Sequence, residues 1–446
     1  MSTAAFNYSY KHIWQVSFPV LIGLVMEQLV GMSDTIFLGR VGEIELGAAA
    51  IAGVYYTVLF TLGFGFSIGA GIIIGRRNGE KDFKGIGDIF WQGTYFSIAI
   101  SLIIIALSLL LSSWILSLVI SSPHILAAAM DYLKWRIFSL VFAYVIAMFR
   151  AFYMGTTKTR VLTYSSLVLV LSNIGFNWVL IFGHLGMPAM GISGAAIGST
   201  MAEALTVIFY IIYTSCNRES RIYGLNKPPR FDWAKLRAIL KVSIWTMVQN
   251  FFSVFTWLIF FVFAEHLGEE AIAISNIVRN VSGIGWMIVT AFAVTGSTLV
   301  SNLIGEGHSE AVIPLLKRVL KLNYAILLVV IAVFFLFPHA VVRIFTNIPG
   351  LVEASVPSML VMTLSYLLST GAMTLFQGVA GTGNTRKVFV LEMIALGIYL
   401  GYCILVMDVL KADIAVCWTA DSVYALATLL LCGSYLRSRR WVGKKI

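Results

Sequence analysis

Apolar residues run along this chain in long blocks separated by short polar turns. Twelve such blocks can be drawn, at 13–38, 46–74, 87–115, 126–152, 161–183, 191–214, 236–264, 270–304, 311–337, 353–381, 387–409 and 413–436. A bilayer-spanning helix takes about 20 apolar residues, so each block is long enough for one span. Blocks of this length exclude a β-barrel, whose strands are short and alternate in polarity. The first block is too long for a signal peptide and has no cleavage site, so it reads as a retained helix. The loops leave no room for a separate soluble domain. The pattern therefore predicts an all-α integral membrane protein with twelve transmembrane helices.

The pattern also repeats. Sliding the chain by 226 residues aligns Val41-Gly42-Glu43 with Leu267-Gly268-Glu269 and Gly79-Glu80 with Gly305-Glu306. The same shift aligns the turn Gly155 to Arg160 with the turn Gly381 to Arg386. One offset held this far without a gap predicts two pseudo-symmetric six-helix lobes, 1–214 and 236–446, joined by a linker at 215–235. An even number of spans per repeat inserts both lobes in the same orientation. Repeats of this kind place a substrate path between the halves and support alternating access.

Composition and charge narrow the picture. The chain is 59% hydrophobic and 12% charged, against roughly 25% charged residues in a soluble domain. The formal charge of +10 is not a nucleic-acid signature, because it is sorted by side of the membrane. Counting residue by residue, 24 of the 31 Lys and Arg fall in alternate loops and at the termini, among them Arg76, Arg77, Arg230, Arg386, Lys444 and Lys445. The positive-inside rule then places both termini and the middle loop in the cytoplasm, as in a multi-pass protein of the cell inner (plasma) membrane, with the lipid bilayer as partner. Cys216, Cys403, Cys417 and Cys432 have no metal-ligand spacing and read as reduced packing residues. The six histidines are scattered, and no G-x-x-x-x-G-K-[ST] run exists. The chain reads as neither an enzyme nor a nucleotide hydrolase, and no cofactor is implied.

The candidate chemistry lies in acids inside the spans. Asp34 sits near the end of the first block, and Glu27 lies seven residues earlier, two helical turns away on nearly the same face. A charge at the bilayer centre costs about 3 kcal/mol on insertion scales, so such residues usually face an interior or a watery cavity. The repeat pairs Asp34 with Phe260 and Glu27 with Ser253, so the acids are concentrated in the first lobe. Glu203 is a further mid-span acid. Gln249, Asn250, Asn276, Arg279, Asn280, Gln377 and Glu392 are candidates to line the second lobe, while Tyr132 and Arg136 read as interface residues.

At this point the residues resemble the MATE family, the multidrug and toxic compound extrusion transporters. The resemblance rests on Phe18-Pro19 followed by Ser33-Asp34-Thr35-Ile36-Phe37-Leu38-Gly39-Arg40, and on the fifth-block run Asn173 to Gly183. The run Gly191 to Thr200 and the two Thr-Arg turns complete it. The family implies a V-shaped pair of six-helix bundles and cation-coupled export of amphipathic, often cationic, organic compounds, in a protein that is by default a monomer. It implies that Asp34 is the coupling acid and that Pro19 bends the first helix. Asn173 and Asn177, with Ser199 or Thr200, would help form its cavity. The NorM-like branch carries acids where this chain has Ser253 and Thr370, so the resemblance is closer to the DinF-like branch.

Asn173 and Asn177, four apart, share a helical face. Two amide oxygens, a hydroxyl and the Asp34 carboxylate form a hard-oxygen set suited to Na⁺. The same carboxyl can instead take H⁺, since burial disfavours its charged form and hydrogen bonds favour it. Proline removes a backbone bond and permits a hinge at Pro19. Each residue also has a structural alternative: a hydrogen-bonded acid near a helix end for Asp34, and interhelical hydrogen bonds for the two asparagines. Glu27 reads as a second titrating group, a substrate partner, or an acid set against a polar neighbour. A lipid or lipid-linked oligosaccharide flippase is the main functional alternative, but it would need several basic residues in its cavity. A facilitator-type transporter is suggested only by the basic loop at 75–82.

Overall fold

The computed structural model describes residues 8–443. The helices are, in order, α1 (Tyr10–Gly39), α2 (Glu43–Gly79), α3 (Phe83–Ser117), α4 (Pro123–Arg136), α5 (Ser139–Gly155), α6 (Arg160–Phe182), α7 (Gly191–Cys216) and α8 (Trp233–His266). They continue with α9 (Glu269–Gly305), α10 (Val312–Leu336), α11 (Pro338–Arg343), α12 (Pro349–Gly381), α13 (Thr385–Cys403), α14 (Ile414–Cys417) and α15 (Ala420–Arg437). Among the described residues, 11 spans are long and apolar enough to cross a membrane, and α4 with α5 completes a twelfth.

That twelfth span differs from the continuous helix expected at 126–152. It is broken between Arg136 and Ser139 and bent by 51°. The cause is local. Ser139 turns its hydroxyl back onto the Arg136 carbonyl at 2.7 Å, and the Phe138 and Leu140 amides bond three residues back instead of four. Tighter i−3 bonding and a serine competing for a helical carbonyl both bend helices.

The repeat is written into the backbone as well as the sequence. Lys81 and Gly307 take the left-handed conformation at φ 60° and 86°, and Thr157 and Gly383 do so at 59° and 83°. Each pair is 226 residues apart. The second copy uses glycine where the first forces a side chain into a region that L-residues disfavour. The turns close alike, Asp82 bonding to the Arg77 carbonyl at 2.9 Å and His308 to the Leu303 carbonyl at 3.0 Å.

The chain divides into two compact units, one of Met1–Leu21 with Val248–Ile446 and the other Ile22–Met247. The boundaries fall inside α1, two residues after Pro19, and inside α8. The segment read as a linker is held within the Ile22–Met247 unit. The Gln92 side chain bridges the Arg230 carbonyl and the Asp232 amide, Tyr95 donates to the Pro229 carbonyl, and Lys235 pairs with Asp88 at 2.7 Å. Lys444 and Lys445 lie outside the described residues.

Each unit packs its own core. In the Ile22–Met247 unit, Leu38, Ala48, Ala52, Leu133, Ile192 and Ala196 gather at one level of α1, α2, α4 and α7. In the other unit, Phe260, Val278, Met359, Tyr399 and Cys403 join α8, α9, α12 and α13, with Trp418 at the end of α14 packed among them.

Candidate functional site

The site is built where α1, α6 and α7 meet. Small residues let α7 approach α6. A Cβ on Gly194 would press on the Leu180 carbonyl, and one on Gly198 would meet the Asn177 amide oxygen. Two glycines four apart therefore form a smooth strip on α7, a common way for membrane helices to close on each other. Ser199, the next residue, is thereby brought to Asn173, which donates to its hydroxyl at 3.0 Å.

Asp34 of α1 enters this cleft. Its Oδ1 accepts from the Asn177 amide at 2.6 Å, and its Oδ2 accepts from the Ser199 hydroxyl at 3.4 Å. Asn177 also donates to the Asn173 Oδ1 at 3.2 Å. Asn173, Asn177 and Ser199 are buried, and Asp34 is half-buried. The Asn177 Oδ1 is buried and accepts no hydrogen bond, so one hard oxygen remains uncommitted beside the carboxylate. Among the described residues no three His, Cys, Asp or Glu side chains gather as a metal site.

A cation sits close by but is otherwise engaged. Arg136 of α4 pairs with Glu203 of α7 at 2.8 Å, both side chains largely buried. The guanidinium lies over the Tyr56 ring, 4.2 Å from its centroid, and donates to Ser139 at 3.0 Å. Glu203 is one turn beyond Ser199 on the same face of α7, and the charges of Arg136, Glu203 and Asp34 act on one another. Arg136 contacts Glu203 directly and forms no ion pair with Asp34 among the described residues. Coulomb energy falls with distance, so Glu203 is its main counter-charge.

The other expected site residues are distributed as follows. Thr200 spends its hydroxyl on the Ala196 carbonyl at 2.8 Å and the Trp135 carbonyl at 3.4 Å, away from Asp34. Glu27 forms an ion pair with Arg150 of α5, and Arg150 also reaches Tyr210 of α7. Tyr210 in turn shares a hydrogen bond with Ser165 at 2.7 Å. Pro19 is buried inside α1, whose helix continues through it. Sequence reasoning missed Arg136 as the partner of Glu203. The available signal was a basic residue one turn from Tyr132 inside an apolar block.

The MatE family profile matches residues 19–179 and, a second time, 246–405. The chain belongs to the MATE family. The double match coincides with the two copies of the internal repeat. Members are membrane transporters, not enzymes. Relatives include a probable multidrug resistance protein NorM of Thermotoga maritima, 26% identical over 86% of this chain and 83% of that one. The multidrug export protein MepA of Staphylococcus aureus is 26% identical over 95% and 93%. The fold is similar to an outward-facing multidrug-resistance MATE transporter of the MOP superfamily, with TM-score 0.89, 17% identity and coverage of 98% and 97%. It is also similar to a MOP-superfamily transporter of Pyrococcus furiosus, with TM-score 0.85, 17% identity and coverage of 96% and 95%.

Proposed function

We propose that this MATE protein is a secondary active multidrug exporter of the inner membrane. It couples inward movement of H⁺ or Na⁺ to efflux of amphipathic, often cationic, organic compounds by alternating access. Asp34 is the site where the ion loads. The observation that carries this reading is the set of partners around Asp34, all of them neutral: an amide at 2.6 Å and a hydroxyl at 3.4 Å, with the nearby cation held by Glu203. A carboxylate in such a setting is free to exchange a monovalent cation. Hydroxyl and amide oxygens can complete a Na⁺ shell, and a proton needs only the carboxylate itself. Multidrug names among relatives that align over most of the chain support the substrate class.

Ion loading changes how α1 is held. With Asp34 ionised, the Asn177 and Ser199 donors tie α1 to α6 and α7. With Asp34 neutral or occupied, those bonds weaken, while the Glu27–Arg150 pair persists as a second tie. Pro19 leaves the Gln15 carbonyl without its helical donor, which supports a hinge within α1. The DinF-like character of the chain rests on the placement of the acids, with Ser253 and Thr370 neutral, although its relatives carry the names NorM and MepA. A monomer with both termini in the cytoplasm completes the proposal.

The test is counterflow in proteoliposomes. Wild type and Asp34→Asn are loaded with a fluorescent organic cation, and a pH or Na⁺ gradient is imposed separately. Transport that follows one gradient and falls to background in Asp34→Asn supports the reading and names the ion. Undiminished transport in the variant moves the coupling site elsewhere, and no movement of any cation under either gradient shifts the reading to a lipid flippase.

A further inference from the structure

Glu392 of α13 is buried, with 2% of its surface exposed. Its Oε1 accepts from the Ser253 hydroxyl of α8 at 2.9 Å and from the Tyr424 hydroxyl of α15 at 2.8 Å, and its Oε2 lies 3.0 Å from the same Tyr424 hydroxyl. Among the described residues, no lysine or arginine pairs with it. The other groups around it are Gln249, which donates to Ser253 at 3.1 Å, and Cys432 of α15. Asp421 lies one turn before Tyr424 on α15, near Tyr366 of α12 and Tyr399 of α13.

Glu27 is the instructive contrast. Along the repeat, Ser253 is the counterpart of Glu27, and Glu392 is the counterpart of Ser166. Acid and serine have exchanged places between the first and fifth spans of the two copies. The cation did not follow, because Arg150 has Phe376 as its counterpart, buried at 5% exposure. A guanidinium only donates and is always charged, so Glu27 meets it purely as an acceptor. Hydroxyls donate or accept by rotating, so Ser253 and Tyr424 satisfy either form of Glu392.

Ser253 carries one hydroxyl hydrogen and has two acceptors within reach, Glu392 Oε1 at 2.9 Å and the Gln249 carbonyl at 2.9 Å. With Glu392 ionised, that hydrogen points to the carboxylate. With Glu392 protonated, it turns to the Gln249 carbonyl, and the carboxyl O–H donates to the serine oxygen. Neither state leaves a buried polar atom of this set without a partner, so neither carries the cost of an unmade hydrogen bond. We propose that Glu392 is a proton-exchanging carboxyl belonging to the Val248–Ile446 part of the chain, gaining and releasing one H⁺ against Ser253 and Tyr424.

The experiment is infrared spectroscopy of the purified full chain in lipid nanodiscs. The C=O stretch of protonated carboxyl groups is followed as pH is stepped, in wild type and in an Asp34→Asn background, so that a band from Asp34 is not mistaken for Glu392. The expected result is a pH-dependent band that is lost in Glu392→Gln and kept in Glu27→Gln. Tyr424→Phe removes a donor but keeps the carboxyl, so the band should persist with a shifted frequency and a shifted titration midpoint. Should Glu392→Gln fail to fold, Tyr424→Phe and Ser253→Ala carry the test by that shift. Two results overturn the proposal. One is a folded Glu392→Gln, or a Tyr424→Phe, whose pH-dependent bands match wild type. The other is a band that answers added Na⁺ at constant pH and not pH itself.

Discussion

The pocket around Asp34 and its counterpart in the second copy of the repeat share a backbone design and carry opposite chemistry. Asp34, Asn173 and Asn177 are joined by hydrogen bonds of 2.6 and 3.2 Å. At the matching positions, 226 residues on, stand Phe260, Tyr399 and Cys403. Phe260 is 2% exposed, its ring centroid 5.0 Å from that of Trp418, and Cys403 is fully buried. The helices that present these side chains need only to be apolar and uninterrupted, and both copies satisfy that. The lesson is that the repeat specifies a scaffold, and that three differences separate a polar, hydrogen-bonded pocket from an aromatic core.

That contrast can be broken most decisively from the polar side. Asp34→Asn is expected to abolish gradient-driven efflux while the protein folds and inserts, since the neutral amide still meets Asn177 and Ser199. The counterflow assay above reads this. The matching change on the apolar side, Phe260→Ala, should leave the choice of coupling ion untouched and lower stability by about 3 kcal/mol, the low end for emptying a buried phenylalanine. The low end applies because lipid, not water, surrounds the bundle and the loss is mainly of packing. Thermal unfolding of the nanodisc-embedded protein measures it, and a changed ion preference in Phe260→Ala would mean the two pockets are not independent.

Gly198→Ala sharpens the comparison at an intermediate level. The added methyl meets the Asn177 amide oxygen, so α6 and α7 must separate or Asn177 must turn from Asp34. A cost of about 1–3 kcal/mol is expected from overpacking, together with a weakened response to the coupling ion in the same counterflow assay. Thr200→Val is the smallest change. Its hydroxyl serves backbone carbonyls at 2.8 and 3.4 Å, so transport rates should stay within error of wild type, and a large loss would place Thr200 in the ion site after all.

Much of this protein was legible in its sequence. Spans, repeat and the intramembrane acids, Asp34 among them, follow from blocks of about 20 apolar residues and from the rarity of carboxylates within them, because a bilayer tolerates little else. Asn173 and Asn177 were legible as a pair because helical spacing alone puts them on one face. The partners of the charges were not. Glu27 and Arg150 stand 123 residues apart, and Arg136 and Glu203 stand 67 apart, and no local period links them. Nor could spacing show that Ser199, and not Thr200, turns toward Asp34, since the two are adjacent on one helix.

The sequence by itself determined the helical membrane class, the two-copy architecture and the locations of the acids within the spans, each a consequence of local composition read against the bilayer as solvent. The tertiary structure alone decided the rest. It broke the fourth span at Ser139, assigned Arg136 to Glu203 and Arg150 to Glu27, and surrounded Glu392 with hydroxyls and, among the described residues, no cation. The physical reason is that the charge state and partners of a buried group depend on side chains from other helices, and those are set by packing in three dimensions.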